Sequence, residues 1–371
     1  MRIGVPKEIK NHEYRVGLTP ASVRELVLAG HEVIVQNDAG TAIGMLDAEY
    51  EAAGASVVTD AAAVFDQAEM IIKVKEPQLP ECEMLKPGQL LYTYLHLAAD
   101  AAQTKALMQS GAVCVAYETI TGPRGGLPLL APMSEVAGRM SIQAAANHLE
   151  KVHGGKGVLL AGVPGVAAGH VVILGAGVVG SNALQMAVGL QARVTVIDKS
   201  LERLRQLDQI YGNRITTLYS TTRAIEEAVK SADAVIGAVL LPGASAPKLV
   251  SHEMIRQMQP GSVLVDVAID QGGCFATSRP TTHADPTFVV DGVVHYCVAN
   301  MPGAVARTST LALNNATLPH ALALANHGWQ AAMRADEHLR DGLNVCQGKV
   351  TYKAVADSLG LPYTAAQTLL A

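Results

Sequence analysis

The stretch GVLLAGVPGVAAGHVVILGAGVVGSNALQMAVGLQA, residues 157–192, decides the fold, and it holds no Asp, Glu, Lys or Arg. Its length alone would let it cross a bilayer, which takes about 20 apolar residues. Its punctuation argues otherwise, since glycines recur throughout and Pro164 and His170 interrupt it. HVVILG reads as a buried strand, GAGVVG as a turn, SNALQMAVGL as a helix and RVTVID as the next strand. Charge is then absent for another reason: a parallel strand and its crossover helix are covered on both faces. Gly175, Gly177 and Gly180 form GxGxxG between strand and helix, and Asp198 closes the following strand. A separation of about 20 residues between such a turn and an acidic residue is the spacing of a dinucleotide fingerprint. The glycines let the backbone approach a pyrophosphate whose charge faces the helix N-terminus. Asp198 would accept hydrogen bonds from a ribose diol and repel a 2'-phosphate, which favours NAD over NADP, although Lys199 and Arg203 stand close by. The alternative is a tight glycine turn with no ligand.

Outward from this turn, strands HVVILG, RVTVID, ITTLYS, AVIGAVL and SVLVDVA alternate with helices near 178–190, 200–212, 222–231 and 251–259, a doubly wound pattern. Residues 1–118 carry a similar alternation. RIGVP is a strand, Thr19 is an N-cap before Pro20, Gly30 ends the helix 20–29, and HEVIVQ returns as a strand. Asp47 and Gly54 bracket the next helix, and ASVV, MIIKVK, QLLYTYLHL and AVCVAYE are further strands. A helix from Ser134 to about His153 leads from one half to the other. From Thr308 the chain reads as helical, including ADEHLRDGLNVC, and so short a helical tail needs another core to pack on. The expected fold is α/β, with two Rossmann-like doubly wound domains separated by a cleft and C-terminal helices packing back on the first. The expected division is 1–130 plus 305–371 for substrate and catalysis, and 131–304 for NAD.

At 371 residues the chain exceeds what a single core usually fills, and 49% of it is hydrophobic, so two packed domains suit it. A net charge of -5 offers no basic field for nucleic acid or lipid headgroups. The five cysteines lie far apart without a CxxC pair, which suits reduced thiols and gives no zinc motif, so no metal is expected. The start, MRIGVPKEIKN, lacks the apolar stretch of a signal peptide, and the cytoplasm is the expected location.

Ligands of open α/β sheets bind beyond the carboxyl ends of the strands. Arg15 follows the first strand by a loop, Lys75 closes MIIKVK, His96 closes LLYTYLH, Glu118 closes AVCVAYE, and Asp270 follows SVLVDVA with Gly272 and Gly273 allowing a close turn. Each has a plainer reading: Lys75 and Glu118 as surface charges or an ion pair, His96 as a satisfied buried histidine. Together they fit hydride transfer to a nicotinamide from a carbon bearing a carboxylate and an amine or hydroxyl. Arg pairs both oxygens of a carboxylate, Lys polarises a carbonyl, His moves protons near neutral pH, and Asp holds an ammonium or carbinolamine.

These residues sit in segments that resemble the alanine dehydrogenase family, shared with the soluble NAD-binding part of nicotinamide nucleotide transhydrogenase. GVPKEIKNHEYRVGLTP, HVVILGAGVVGSNA, VLLPGASAPKLV and DVAIDQGGCFATSRPTTH carry the resemblance, with His12 a departure. The resemblance implies that Arg15 and Lys75 bind substrate, that His96 is the acid/base and that Asp270 completes the catalytic set. It implies cofactor contacts from Ser134, Val178, Val179, Asp198, Arg203, Ser220, Val239, Leu240, Val267, Ala268, Ile269, Asp270, Val298, Ala299, Asn300 and Met301, beside the three glycines. It also implies reversible oxidation of L-alanine by NAD to pyruvate and ammonium, and a homohexamer. Tyr94 and Met301 are candidates for limiting substrate size. The rival readings are a transhydrogenase-type hydride-transfer subunit, a saccharopine-dehydrogenase-like enzyme and an NAD sensor without chemistry.

Overall fold

The computed structural model describes residues 1–239 and 246–370. The chain divides into two compact units, Met1–Met133 with Val305–Ala371, and Ser134–Ala304.

The first unit holds strands β1 (Arg2–Val5), β2 (Glu32–Gln36), β3 (Ser56–Val58), β4 (Met70–Ile72), β5 (Leu90–Thr93) and β6 (Val113–Ala116). The second holds β7 (His170–Leu174), β8 (Arg193–Asp198), β9 (Ile215–Tyr219), β10 (Ala234–Gly237), β11 (Val263–Asp266), β12 (Thr287–Val290) and β13 (Val293–Tyr296). Two late strands, β14 (Leu343–Cys346) and β15 (Lys349–Val350), return to the first unit. Its sheet runs β15-β14-β6-β5-β4-β1-β2-β3, and the other runs β12-β13-β11-β10-β7-β8-β9. Strands β1 to β6 are mutually parallel, as are β7 to β11 with β13. In both sheets the order reverses beside the first strand, between β1 and β4 and between β7 and β10. Those reversals are the topological switch points at which open α/β sheets bind ligands.

Alternate side chains of each strand enter different cores. In β7, Val171 and Ile173 pack with helix residues Ala183 and Leu184, while Val172 and Leu174 pack with Ile225 and Val229 on the opposite face. This two-sided burial explains the uncharged stretch around residue 170. In the first unit Met70 and Ile72 join one core and Ile71 the other. Thr19 caps the helix Pro20–Leu28 by accepting the Ser22 amide at 3.1 Å, with proline at the first turn.

Three elements differ from the sequence expectation. The linking helix runs Ala131–His148 and gives way to a short 3-10 turn at Lys151–His153. Beyond Ala335 the segment DEHLRDGLNVC, residues 336–346, is helical only over Glu337–Arg340; its end becomes β14, because the open edge of β6 offers an antiparallel partner. The hairpin β12–β13 adds an antiparallel edge to the second sheet. The C-terminal helix Ala306–Ala335, interrupted at Gly328, packs back as expected: Leu313, Ala321 and Leu324 share a core with Ile3, Val33 and Tyr92.

Candidate active site

Carboxylates stand beside Arg15, Lys75 and His96 at the strand ends of the first unit, and the one beside Arg15 is buried. Arg15, in the loop after β1, is 2% exposed. Its Nε donates to Glu13 Oε1 at 2.6 Å and its Nη2 to Glu13 Oε2 at 2.5 Å, while Nη1 lies 3.2 Å from Met133 Sδ. Burial alone would lower the guanidinium pKa, but the bonds and charge of Glu13 outweigh it and the net direction is up. Arg15 is therefore a fixed cation beside Tyr94, whose hydroxyl donates to the Leu129 carbonyl at 2.5 Å.

Lys75 leaves the end of β4 with its ammonium 3.6 Å from Glu76. Its carbonyl accepts from Thr93 Oγ1 at 3.0 Å and its amide donates to Glu8 at 3.3 Å. Beneath it Lys73, wholly buried, donates to Glu8 at 3.0 Å and Glu81 at 2.7 Å. Desolvation opposes the Lys73 charge, yet these two carboxylates raise its pKa overall. His96 follows β5, and its half-exposed ring stacks on Tyr94 with centroids 5.8 Å apart and planes 7° apart. It is not a satisfied buried histidine. Nor is Glu118 a plain surface charge, for its carboxylate accepts the amides of Leu95 and His96.

In the second unit the expected cofactor residues fall on the carboxyl ends of successive strands. Gly175–Gly180 follow β7, Asp198 ends β8, Ser220 follows β9, Val239 follows β10, Val267–Asp270 follow β11 and Val298–Met301 follow β13. Leu240 lies outside the described residues, and half-buried Ser134 lies in the helix Ala131–His148. Asp270 is exposed in a 3-10 turn at Ile269–Gln271. Buried Asp266 closes that loop, accepting the Cys274 amide at 2.8 Å, the Phe275 amide at 3.3 Å and the Ser278 hydroxyl at 2.5 Å. Asn300 takes a positive φ of 61°, and its carbonyl lies 3.1 Å from His283 Nε2.

The glycine turn fits a dinucleotide. A side chain at Gly180 would come within 1.8 Å of the Gly175 carbonyl, so the helix Val178–Gly189 starts as close to its strand as backbone permits. Gly175 has φ +98°, and a Cβ there would meet the Ala238 carbonyl at 2.7 Å. A Cβ at Gly177 would meet nothing within 4 Å, which leaves the approach to the helix N-terminus open. No side chain caps that helix, and its first-turn amides have no intrahelical acceptor. Asp198 accepts the Ala176 amide at 2.6 Å and the Ser200 amide at 2.7 Å, so it braces the turn while each oxygen keeps a second lone pair. Arg203 is committed to the same turn, donating to the Ala176 carbonyl at 2.9 Å and Ser181 Oγ at 2.6 Å, which removes it as a 2'-phosphate clamp.

Two sequence families match in tandem: "Alanine dehydrogenase/PNT, N-terminal domain" over residues 4–137 and "Alanine dehydrogenase/PNT, C-terminal domain" over 141–353. The chain belongs to the alanine dehydrogenase/PNT family. It is 63% identical to an alanine dehydrogenase of Halomonas elongata over 370 residues, covering 100% of both chains. It is 57% identical to that of Methanococcus maripaludis, again over 100% of both. A solved L-alanine dehydrogenase superposes with a TM-score of 0.95 at 52% identity, covering 97% of this chain and 99% of the other. The transhydrogenase from Sinorhizobium meliloti superposes with a TM-score of 0.81 at 25% identity, covering 95% and 100%. Among the described residues no helix is long and apolar enough to cross a membrane, and no group of three or more His, Cys, Asp or Glu could hold a metal ion.

The family match leaves several contributors that sequence reasoning missed. Glu13 braces Arg15, Glu8 and Glu81 surround the buried Lys73 of the first unit, and Asp266 closes the Asp270 loop. Lys73 had a visible signal, a charge in the middle of the apolar run MIIKVK.

Proposed function

We infer that the chain catalyses the reversible, NAD-dependent oxidative deamination of L-alanine to pyruvate and ammonium. The observation that carries this is full-length identity of 52% to 63% to alanine dehydrogenases. Identity to the solved transhydrogenase is 25%, so the hydride-transfer-subunit reading has less support.

We assign substrate binding to 1–130 with 305–371, and the dinucleotide to 131–304. Gly175, Gly177, Val178, Val179 and Gly180 would take the pyrophosphate and Asp198 the ribose diol. Ser134, Arg203, Ser220, Val239, Leu240, Val267–Asp270 and Val298–Met301 would line the remainder. When bound, NAD accepts the hydride released from the substrate's α-carbon. Arg15, its fork fixed by Glu13, pairs the substrate carboxylate and so directs the α-carbon, which is catalysis by positioning. The Lys75 ammonium polarises the oxygen that becomes the pyruvate carbonyl. His96 takes a proton from the water that adds to the imine carbon and returns it to the amine. The carbinolamine hydroxyl then gives its own proton to His96 as the carbon–nitrogen bond breaks, and the departing ammonia takes that proton as ammonium. Asp270 holds the positively charged nitrogen until ammonium leaves.

We also propose a cytoplasmic enzyme of L-alanine catabolism that assembles as a homohexamer. Five free, buried thiols suit a reducing compartment. Val152, Leu159, Val163 and Val166 of the second unit, each more than half exposed, are suited to covering by another copy. Light scattering on the purified protein reads the copy number, and a monomer would contradict the assembly. For the activity, L-alanine is supplied with NAD or with NADP and reduced nicotinamide is followed by absorbance. Turnover should be strongly selective for NAD; equal use of NADP would contradict the role of Asp198.

A further inference from the structure

The histidine assigned to proton transfer stands on an unusual piece of backbone. His96 has φ 52° and ψ 37°, the left-handed region, which a residue with a Cβ enters at a cost and which persists only where surroundings impose it. It leaves the end of β5 without a glycine to ease the turn, and its direction out of the sheet depends on what holds that turn.

Glu118 supplies the hold. It stands in the 3-10 turn Tyr117–Thr119 after β6, the parallel neighbour of β5. That turn is itself anchored: the Tyr117 hydroxyl donates to the Lys73 carbonyl at 3.0 Å, and the Ala116 amide to the Gly342 carbonyl at 2.7 Å. Oε1 accepts the His96 amide at 2.6 Å, and both carboxylate oxygens lie 3.2 Å from the Leu95 amide. Two successive amides turned to one side make a concavity suited to an anion. The His96 ring, by contrast, has its Nδ1 3.9 Å from Oε1, beyond hydrogen-bond reach, and is steadied by its stack on Tyr94.

We propose that Glu118 is a positioning residue for the reaction: by accepting the amides of Leu95 and His96 it locks the left-handed turn that aims the imidazole, and it acts on catalysis through His96. This rests on the reading of His96 as the acid/base. A carboxylate suits the task because it can accept from two donors in different directions at once. Glutamine retains one acceptor oxygen at the same reach, whereas aspartate retains the charge but falls one methylene short.

The test uses the full-length enzyme with L-alanine and NAD, measuring kcat, the alanine KM, NADH affinity by fluorescence and the unfolding midpoint. Glu118→Ala and Glu118→Asp should lower kcat by about 10- to 100-fold, the scale of a misplaced catalytic group. Alanine KM and NADH affinity should change little, and Glu118→Gln should recover most of the rate. In a His96→Ala background, Glu118→Ala should cost less than about twofold, because residues acting as a unit are not additive. The proposal is overturned if Glu118→Ala costs the same factor in both backgrounds. It is equally overturned if Glu118→Asp works like the parent while Glu118→Gln fails, for charge rather than amide acceptance would then be what matters. Should His96→Ala itself turn over like the parent, the assignment of His96 fails instead, and the two failures are told apart. Aspartate and glutamine variants keep the test available if the alanine variant does not fold.

Discussion

Arg15 is a buried cation held in one orientation by a single carboxylate. A guanidinium buried to this degree needs its charge balanced, and the bidentate Glu13 does so while fixing the plane of the fork. Lysine cannot reproduce that geometry, since its ammonium is a point donor on a flexible stem. Arg15→Lys should therefore raise the alanine KM by roughly 10- to 100-fold, the equivalent of one lost charge-assisted hydrogen bond; an unchanged KM would remove Arg15 from the carboxylate site. Arg15, Lys75, His96 and Asp270 could be picked out in the sequence because a charge just beyond an apolar parallel strand has few structural reasons to be there. Their supports could not. Glu8 and Glu81 lie far from Lys73 along the chain in one case and in a different element in the other, and only the folded sheet gathers them around one ammonium. Asp198 is visible in the sequence only by its spacing from the glycine turn, and its bonds to the Ala176 and Ser200 amides depend on a loop conformation that spacing does not reveal.

At the scale of elements, the glycine turn separates two effects that one mutation would confuse. Gly180→Ala forces a methyl against the Gly175 carbonyl 1.8 Å away, so it should destabilise the protein by about 1–3 kcal/mol and weaken NADH binding together. Gly177→Ala meets no protein atom within 4 Å, so the unfolding midpoint should hold while NADH affinity falls. Loss of stability in the second variant, or full affinity in the first, would contradict the assigned roles. The parallel strands were legible through their apolar runs. The hairpin β12–β13 turns at Asp291-Gly292, both at positive φ, the one local signal its sequence carries. The four-residue β14 offered no periodicity to read, and the open edge of β6 decides its conformation. On β13, His295 is enclosed between Thr277 Oγ1 at 2.7 Å and the Val293 carbonyl at 3.0 Å, and desolvation lowers its pKa from the ordinary 6.5. Below that ordinary value the unfolded chain binds the proton more readily, so His295 contributes stability above it that is lost as pH falls. His295→Gln should lose less of its unfolding midpoint than the parent between about pH 7.5 and pH 5; parallel curves would contradict a buried neutral imidazole.

At the scale of the molecule, each unit closes its own sheet and its own cores, and each carries polar residues at the carboxyl ends of its strands. The first carries fixed cations and the histidine, the second the glycine turn, Asp198 and Asp270. That division is why the α/β class and the dinucleotide fingerprint could be read early: parallel order forces apolar runs, and the turn needs glycine. Oxidation of L-alanine by NAD on these residues is measured most directly as formation of reduced nicotinamide by the parent, His96→Ala and Asp270→Asn proteins, with NADH binding checked in each. Turnover is expected in the parent, and its loss in both variants while they still bind NADH. A parent that binds NADH tightly but leaves L-alanine unchanged would contradict that expectation, and would return the protein to the hydride-carrier or sensor readings.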